Sequence, residues 1–328
     1  MKKRMFFLMV IVFVWTVFIS PGWTQKKPIQ LKAVQFVNMG NPGESGFHLL
    51  VDMINKAAKG EIVLKVVGGP ESMPGRQQPE AVRTGAIDIA FVASSWYKSI
   101  VRVTPLIKMS LLKPWEERKT GFYDFLIEEH QKQGLRYIGN AHVYGPFYLY
   151  SKEPIQNVEG LKGKRFRHSP AYPFFPAFGI KPITASHSEI YQGLERNLFD
   201  GLAINHTNFI NLRLYEVCKY IVGPAFYNHG AASVIMNLAK FNGLPEHLQK
   251  VILDSMEKAE PAIIEMDNSI QVENWKTLET NGMKHIFRLL LSKAYNASEA
   301  MKPTGYTRPQ MMQVKISFRE HCVWLMHI

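Results

Sequence analysis

The sequence has little cysteine and none of the common catalytic or metal-binding motifs. It contains two cysteines in 328 residues, Cys218 and Cys322, and they lie far apart. Two distant cysteines do not make a disulfide framework, and no metal-ligand spacing surrounds either one. H-E-x-x-H and G-x-S-x-G motifs are absent from the sequence. We therefore expect no metal and no cofactor, and we expect Cys218, on an apolar face, to belong to a hydrophobic core.

Clustered charge and long apolar runs are also scarce. The formal net charge is +12, from 39 Lys and Arg against 27 Asp and Glu residues. These charges are scattered and do not form the basic stripe of a nucleic-acid-binding surface. We expect no nucleic-acid partner and only a mild attraction for anionic ligands.

The amino terminus has the organisation of a secretory signal peptide. Lys2-Lys3-Arg4 precede an uncharged apolar run from Met5 to Ile19, which is shorter than the roughly 18–20 residues of a spanning helix. We predict that residues 1–24 form a signal peptide and that the mature protein is periplasmic. An uncleaved membrane anchor is the alternative.

The body of the chain alternates strand and helix patterns. Strand patterns at Leu31–Val37, Ile62–Val67 and Ala86–Val92 are separated by two helical patterns. The third strand is almost continuously apolar, which is typical of parallel sheets. This β-α-β-α-β order predicts an open α/β sheet with helices on both faces.

Polar and aromatic residues follow two of these strands. Asn38 follows the first strand, and Trp96 and Tyr97 follow the third. Ligands of open α/β sheets bind outside the carboxyl ends of the strands. We predict that Asn38 and Trp96 line a ligand site, with ordinary loop packing as the alternative for both aromatic residues.

Further elements follow from periodicity and from the Gly and Pro positions. We predict a single helix over Trp115–Gln131 and a long helical region from Glu246 that Pro261 should kink or split. From Phe287 onward no periodicity persists, and we predict an irregular tail. The other predicted elements are strands at Leu135–Asn140, Phe147–Tyr150, Ala232–Asn237 (returning to the first sheet) and Met283–Ile286, and a helix at Asn208–Tyr220.

The stretch from Val158 to Asn205 combines a strand arginine with a helix start. In the predicted strand Arg165–His168, Phe166 can enter a core while the arginines project from the other face, because strand side chains alternate. Ser186-His187-Ser188-Glu189 is an S-x-x-E capping box, and Asp200-Gly201 turns the chain into another apolar strand. A guanidinium and a helix N-terminus at successive strand ends form a suitable site for an anion.

Short motifs occur in order from about residue 30 to residue 286. They are Gly85-Ala86-Ile87-Asp88, Val158-x-Gly160-Leu161-Lys162-Gly163-x-x-Phe166-Arg167, Gly179-x-x-Pro182, Ser188-Glu189-x-Tyr191, Asp200-Gly201, Tyr215-Glu216-Val217-x-Lys219-Tyr220 and Leu244-Pro245. Together they resemble the TRAP-transporter solute-binding proteins of the DctP type.

The resemblance implies a two-lobed periplasmic binding protein fold, each lobe an open mixed sheet with helices on both faces, joined by a long bridging helix. Residues 28–143 with 231–270 would form lobe I, and residues 144–230 with 271–286 would form lobe II, leaving 287–328 as the tail. Such a protein is a receptor and not an enzyme. It would close on a small organic acid and deliver it to TRAP membrane subunits.

The resemblance also implies ligand-binding residues. The family's strand arginine, which pairs with the substrate carboxylate, falls on Arg167, and a planar fork suits a carboxylate better than a lysine does. A structural salt bridge is the alternative role for Arg167, and Arg165 is expected to be a surface charge. Many members have a second arginine where this chain has Phe147, so we expect a single carboxylate clamp.

Further candidate ligand-binding residues depart from the family's usual pattern. His187 takes a position that is often aromatic, in a helical first turn where the macrodipole disfavours its protonated form. We expect it to contact the ligand by a hydrogen bond or by stacking, with a surface histidine at a helix start as the alternative. Asn205 lies one residue from the family's usual asparagine. Tyr148 and Phe226, with Phe147 and Trp96, indicate an apolar or aromatic ligand, which together with the single clamp predicts a monocarboxylate.

Two other function classes stay open at this point. An ABC-type or sensory periplasmic binding protein would share the two-lobe architecture, so fold alone does not separate it. A periplasmic enzyme is the remaining alternative, because several histidines occur in the second half of the chain: His168, His187, His206 and His229.

Overall fold

The computed structural model describes residues 27–40, 44–110, 112–143, 145–168, 175–227 and 230–286. The predicted signal peptide, Cys322, His229 and the predicted tail lie outside these residues. In the described part, no helix is both long and apolar enough to cross a bilayer.

Strands and helices alternate through most of the described chain. The strands are β1 (Ile29–Gln35), β2 (Ile62–Gly68), β3 (Ile89–Ala93), β4 (Leu135–Val143), β5 (Phe147–Ser151), β6 (Arg165–His168), β7 (Lys181–Thr184), β8 (Gly201–Asn205), β9 (Tyr220–Tyr227), β10 (Gly230–Asn237) and β11 (Lys284–Ile286). The α-helices are α1 (Ser45–Ala57), α2 (Gln78–Arg83), α3 (Thr104–Met109), α4 (Pro114–Thr120), α5 (Phe122–Gln131), α6 (Ile190–Glu195), α7 (His206–Asn211), α8 (Leu238–Asn242) and α9 (Glu246–Thr280).

The first lobe is built on a mixed sheet with the order β2-β1-β3-β10-β4. β1 is parallel to β2 and β3, and β10 is antiparallel to both β3 and β4. One face is covered by α1, α8 and the first half of α9, and the other by α2, α3 and α5. The predicted return of the 232–237 strand to the first sheet is confirmed.

The second lobe is built on a mixed sheet with the order β11-β9-β5-β8-β6-β7. α6, α7 and the end of α9 pack on one face, and that core includes the fully buried Cys218, as predicted. Two 3-10 helices, Val158–Leu161 and Pro176–Phe178, pack on the other face. At the start of β8, Gly201 leaves no room for a side chain, since a Cβ there would lie 2.2 Å from the Tyr150 carbonyl oxygen.

Helix α9 connects the two lobes. Its first half places Leu248, Ile252 and Ile263 in the core of the first lobe. Its last turns place Leu278 in the core of the second lobe, where Trp275 packs against the same cluster. The predicted long bridging helix is therefore present.

Two predictions about helices are wrong, and the split that was one of two expected effects of Pro261 is absent. The 115–131 pattern forms two helices, because Gly121 adopts the left-handed conformation (φ +79°) and ends α4. The 208–220 helix stops at Asn211, and the chain passes through Arg213 at φ +52° into a 3-10 helix and then β9. Pro261 does not split α9, which runs unbroken for 35 residues. Buried neighbours on both sides of the proline, Ala259 and Ile263, hold the helix in place.

Candidate functional site

The topology of the second sheet gathers several predicted ligand-binding residues at one edge. β6, β7 and β8 are parallel, so their carboxyl ends lie together. β5 and β9 run so that Phe147, at the start of β5, pairs with Asn205 on one side and with Tyr227 on the other. Arg167 and the chain after β7 therefore share this edge with Phe147 and Asn205. We call it the binding edge.

Arg167 is the most enclosed charged group at the binding edge. It pairs in register with Ile183 of β7 and Leu202 of β8, and only 5% of it is exposed. Phe166 occupies the opposite face and is fully buried, so the predicted alternation is confirmed. Nε and Nη2 of Arg167 both donate to the carbonyl oxygen of Ala185, at 3.0 Å each. This bifurcated contact fixes the plane of the guanidinium.

Arg165 lies on the same strand but at its other end. Its Nη2 donates to Asp200 Oδ1 at 2.8 Å, and its backbone N–H donates to Oδ2 at 2.8 Å. The side chain is about two-fifths exposed. Arg165 is therefore not an isolated surface charge as predicted. It forms a half-exposed ion pair with Asp200, in the turn that leads into β8.

Half of the predicted capping box forms directly after Ala185, since the Glu189 backbone N–H donates to the Ser186 carbonyl oxygen and not to its hydroxyl. Glu189 Oε2 accepts hydrogen bonds from the Ser186 backbone N–H at 2.7 Å and from Ser186 Oγ at 2.6 Å. These bonds lower the pKa of Glu189 and hold the turn that presents the Ala185 carbonyl to Arg167. His187 lies in the 3-10 helix His187–Glu189 within this turn. Its side chain, like that of Phe226 in β9, lies outside what the structure describes.

Phe147 meets a cation from the other lobe. The residue is almost fully buried, and the Nζ atom of Lys108 lies 3.7 Å from the centroid of its ring. Lys108 belongs to α3, which packs in the first lobe through Leu106 and Ile107. Burial lowers the pKa of Lys108 to about 7. Sequence patterns did not indicate Lys108, because its contact with Phe147 joins segments that are far apart along the chain.

Asn205 and Tyr148 are committed to packing around α7. Asn205 is buried and caps α7, since its Oδ1 accepts from the backbone N–H of Asn208 at 2.8 Å. The ring of Tyr148 stacks on His206, with centroids 4.5 Å apart and planes 7° apart, and meets the edge of Trp275. Burial raises the pKa of Tyr148 to about 12. Both side chains therefore have structural partners around α7.

His206 is one of the histidines that left an enzymatic function open. Sequence patterns did not indicate its environment. It is fully buried, and its Nδ1 is within hydrogen-bonding distance of the Tyr150 hydroxyl. Burial is the main reason that its pKa is lowered to about 3, and nearby His285 adds to the effect. The low pKa favours the neutral imidazole, which packs among aromatic rings here.

The residues of the first lobe that were predicted near the ligand site have different environments. Asn38 is exposed after β1. Trp96 is half-buried, with its ring 5.4 Å from that of Phe36 and the Arg76 guanidinium 5.1 Å from its centre. Tyr97 is a core residue, and its hydroxyl pairs with His130 Nε2 at 3.0 Å. Ordinary packing is therefore the correct interpretation for Tyr97.

No group of three His, Cys, Asp or Glu side chains in the described ranges could hold a metal ion.

Two mixed α/β sheets joined by one long helix, with a buried arginine at the strand ends of one sheet, define the class of two-lobed solute-binding proteins.

The chain belongs to the DctP family, bacterial extracellular solute-binding protein family 7, whose model matches residues 33–303. This is the TRAP-type family that the motifs resembled, which favours it over the ABC-type alternative.

Two curated relatives align with 220 residues, which are 63% of this chain and 66% of each relative's length. One is an uncharacterized protein of Haemophilus influenzae, 29% identical. The other is the 2,3-diketo-L-gulonate-binding periplasmic protein YiaO of Escherichia coli, 26% identical.

Solved structures show the same fold. A TRAP periplasmic solute-binding protein from Rhodobacter sphaeroides, in an apo open form, aligns with a TM-score of 0.77 at 19% identity, covering 89% of this chain and 99% of the other. DctP7 of Bordetella pertussis, an extracytoplasmic solute receptor binding pyroglutamic acid, aligns with a TM-score of 0.72 at 20% identity, covering 88% and 99%.

Proposed function

We propose that the protein is the extracytoplasmic solute receptor of a TRAP transporter, located in the periplasm. It binds a small organic acid between its lobes, closes by a hinge motion and delivers the acid to the TRAP membrane subunits, without chemistry of its own. Family membership supports the receptor role. The observation that carries the ligand class is the buried, oriented guanidinium of Arg167 at the binding edge.

Arg167 suits a carboxylate for physical reasons. A guanidinium has five N–H donors in a planar fork, and Nε and Nη2 are aligned by the Ala185 carbonyl. A ligand carboxylate would accept charge-assisted hydrogen bonds from this fork, and such bonds are about twice as strong as neutral ones.

Closure is supported by contacts between the lobes. We propose that residues 28–143 with 231–270 move as lobe I and residues 144–230 with 271–286 as lobe II. Lys108 of the first lobe contacts Phe147 of the second, and α9 packs on both. A ligand that binds better when these surfaces are together shifts the equilibrium towards the closed form.

The ligand is proposed to be a monocarboxylate. Phe147 adds an aromatic residue to the edge that carries Arg167. Three similar proteins are named for acids with one carboxyl group: 2,3-diketo-L-gulonate for the Escherichia coli protein, and pyroglutamic acid and galacturonate for two of the solved structures. Another solved structure holds sn-glycerol-3-phosphate, which has no carboxyl group.

The test is a thermal-shift screen of organic acids followed by calorimetry on two arginine variants. A ligand that binds only the folded protein raises its melting temperature. Arg167→Ala should weaken binding of the best acid by at least about thirtyfold, because truncating one partner of a buried charge pair costs roughly 2–5 kcal/mol.

Arg165→Ala is the matched control, since it removes an arginine two residues away whose partner is Asp200. It should leave the affinity within about threefold, because the pair it breaks is half-exposed. Equal affinity of the Arg167→Ala and wild-type proteins would refute the proposed role. Tighter binding of C4-dicarboxylates than of aryl or keto acids would refute the monocarboxylate class.

A further inference from the structure

The edge of the second sheet that lies opposite the binding edge carries a lysine at five of its six strands. β6, β7, β8, β9 and β11 begin at this edge, and β5 ends there. Lysines that are far apart in the sequence lie at or beside these strand ends, and we call them the lysine row: Lys152, Lys164, Lys181, Lys219 and Lys284. The sheet therefore assembles a charge pattern that the sequence alone does not show.

Backbone hydrogen bonds fix the order of the lysine row. The Lys284 N–H donates to the Lys219 carbonyl oxygen at 2.8 Å, and the Lys181 N–H donates to the Lys164 carbonyl oxygen at 2.8 Å. β5, which Lys152 follows, lies between these two pairs in the strand order. Because neighbouring strands are about 4.8 Å apart, the six strand ends span about 24 Å.

The charges of the lysine row are not paired. Among the described residues, no lysine of the row forms a salt bridge. The Lys152 ammonium donates to the carbonyl oxygen of Leu194 at 2.9 Å, which is a neutral acceptor. At the sixth strand, Asp200 pairs with Arg165 and not with a lysine. Nearby glutamates reduce the net charge of this edge without pairing with the row: Glu153, Glu159, Glu195, Glu216 and Glu279.

An exposed apolar side chain lies beside the lysine row. Leu198, in the turn between α6 and β8, is 58% exposed. The residue before it, Asn197, accepts a hydrogen bond from the Lys152 ammonium, which ties the turn to the middle of the row. Lysines together with exposed apolar groups are the combination by which proteins bind to an anionic membrane interface.

We propose that the lysine row and Leu198 bind the surface of an anionic phospholipid membrane. A lysine ammonium is a compact point charge on a flexible stem, which suits a surface of mobile phosphate groups. A protein partner fits less well, because protein interfaces are depleted in lysine and enriched in arginine and aromatic residues. The row lies opposite the binding edge, so membrane contact leaves that edge free for a ligand.

The test is flotation of the full chain, as the producing cell exports and processes it, with two kinds of vesicle. One kind mixes phosphatidylglycerol equally with phosphatidylcholine, and the other is phosphatidylcholine alone. Each lysine near an anionic surface strengthens binding by about fivefold. The combined substitution Lys164→Gln, Lys181→Gln and Lys219→Gln should therefore weaken binding to the anionic vesicles by at least about thirtyfold. Wild-type binding should also weaken as salt shortens the screening length from about 30 Å at 0.01 M to about 10 Å at 0.1 M.

A matched control removes the same net charge from the first lobe. Lys56, Lys65 and Lys258 are exposed there, and their combined replacement by Gln should leave the affinity for anionic vesicles within about threefold. Arginine at the three substituted positions of the row keeps the charge and should keep the binding. Leu198→Ser should weaken binding by about threefold or more, since less apolar surface enters the interface. Melting temperatures report whether each variant is folded.

The proposal is overturned if the wild-type protein binds anionic vesicles no better than neutral ones, or if the first-lobe variant loses as much binding as the row variant. Binding to soluble polyglutamate that matches binding to anionic vesicles and does not depend on Leu198 would also overturn it, in favour of an acidic protein partner. These results are separate from the receptor proposal, because vesicle binding is measured without an organic acid and with Arg167 intact.

Discussion

Replacing Glu260 by alanine should destabilise the protein far more than breaking an exposed ion pair on the same helix. Glu260 lies on α9 and is 2% exposed. Its carboxylate accepts from Arg118 of α4 at both oxygens, with Nε to Oε2 at 3.3 Å. The Arg118 guanidinium also lies 3.9 Å from the ring centre of Tyr123. The substitution leaves Arg118 without its carboxylate partner in a mostly buried place.

The expected magnitude follows from that burial. Removing one partner of a buried ion pair costs roughly 3–5 kcal/mol of unfolding free energy, because the remaining charge is uncompensated. The comparison is Asp254→Ala, which breaks an exposed pair with Lys250 at 3.1 Å on the same helix. Exposed i,i+4 pairs contribute about 0.3–0.5 kcal/mol.

Glu260→Gln separates charge from shape. Burial raises the pKa of Glu260 to about 7, while the hydrogen bond from Arg118 acts in the opposite direction. An amide keeps an acceptor oxygen for Arg118 and avoids the cost of burying a carboxylate. Glu260→Gln should therefore cost less than Glu260→Ala.

Urea unfolding at neutral pH, followed by circular dichroism, measures all three variants on one scale. Two-state transitions and unchanged m-values are required for the comparison. If Glu260→Ala and Asp254→Ala differ by less than about 1 kcal/mol, the pair does not have the role that its burial implies.

Two further predictions concern the second lobe. Gly201→Ala should lower the unfolding free energy by about 3 kcal/mol or more, since its Cβ would lie 2.2 Å from the Tyr150 carbonyl oxygen. Gly60→Ala, where a Cβ meets nothing within 4 Å at φ +87°, should cost only about 1–2 kcal/mol, and similar costs in urea unfolding would contradict the steric argument. Stability should also fall as the pH decreases from about 6.5 towards 3, because burial lowers the pKa of His206 from 6.5 to about 3 and the unfolded chain takes up the proton first. His206→Gln should flatten this pH dependence of the unfolding free energy, and an unchanged slope would show that His206 is not responsible.

Local patterns predicted the strands of the site well. The bounds of β6 match the predicted strand Arg165–His168, because Phe166 alternates with polar neighbours and Gly163 turns the chain before it. Helices were harder to delimit. The apolar spacing continues through Gly121, and only the left-handed backbone there, which the sequence permits but does not require, divides α4 from α5.

The site itself was predictable only where one segment supplies it. The placement of Arg167 at a strand end followed from its own strand and the capping box after it. The ring of Phe147 contacts Lys108, which comes from another lobe. Asn205 showed a similar limit, because as the residue before α7 it uses its side chain as a helix cap. Contacts between distant segments leave no periodic trace in a single sequence.

The unbroken course of α9 constrains how the two lobes can move. A helix of 35 residues is about 52 Å long. Because its two ends are packed into different cores, a change in the relative position of the lobes must bend or twist the helix. Pro261 has no backbone N–H to donate, so one backbone hydrogen bond is missing near the middle of α9. Bending concentrated there breaks fewer hydrogen bonds than bending elsewhere in the helix. If the lobes close as proposed, the bending stiffness of α9 would oppose the closure that the ligand stabilises.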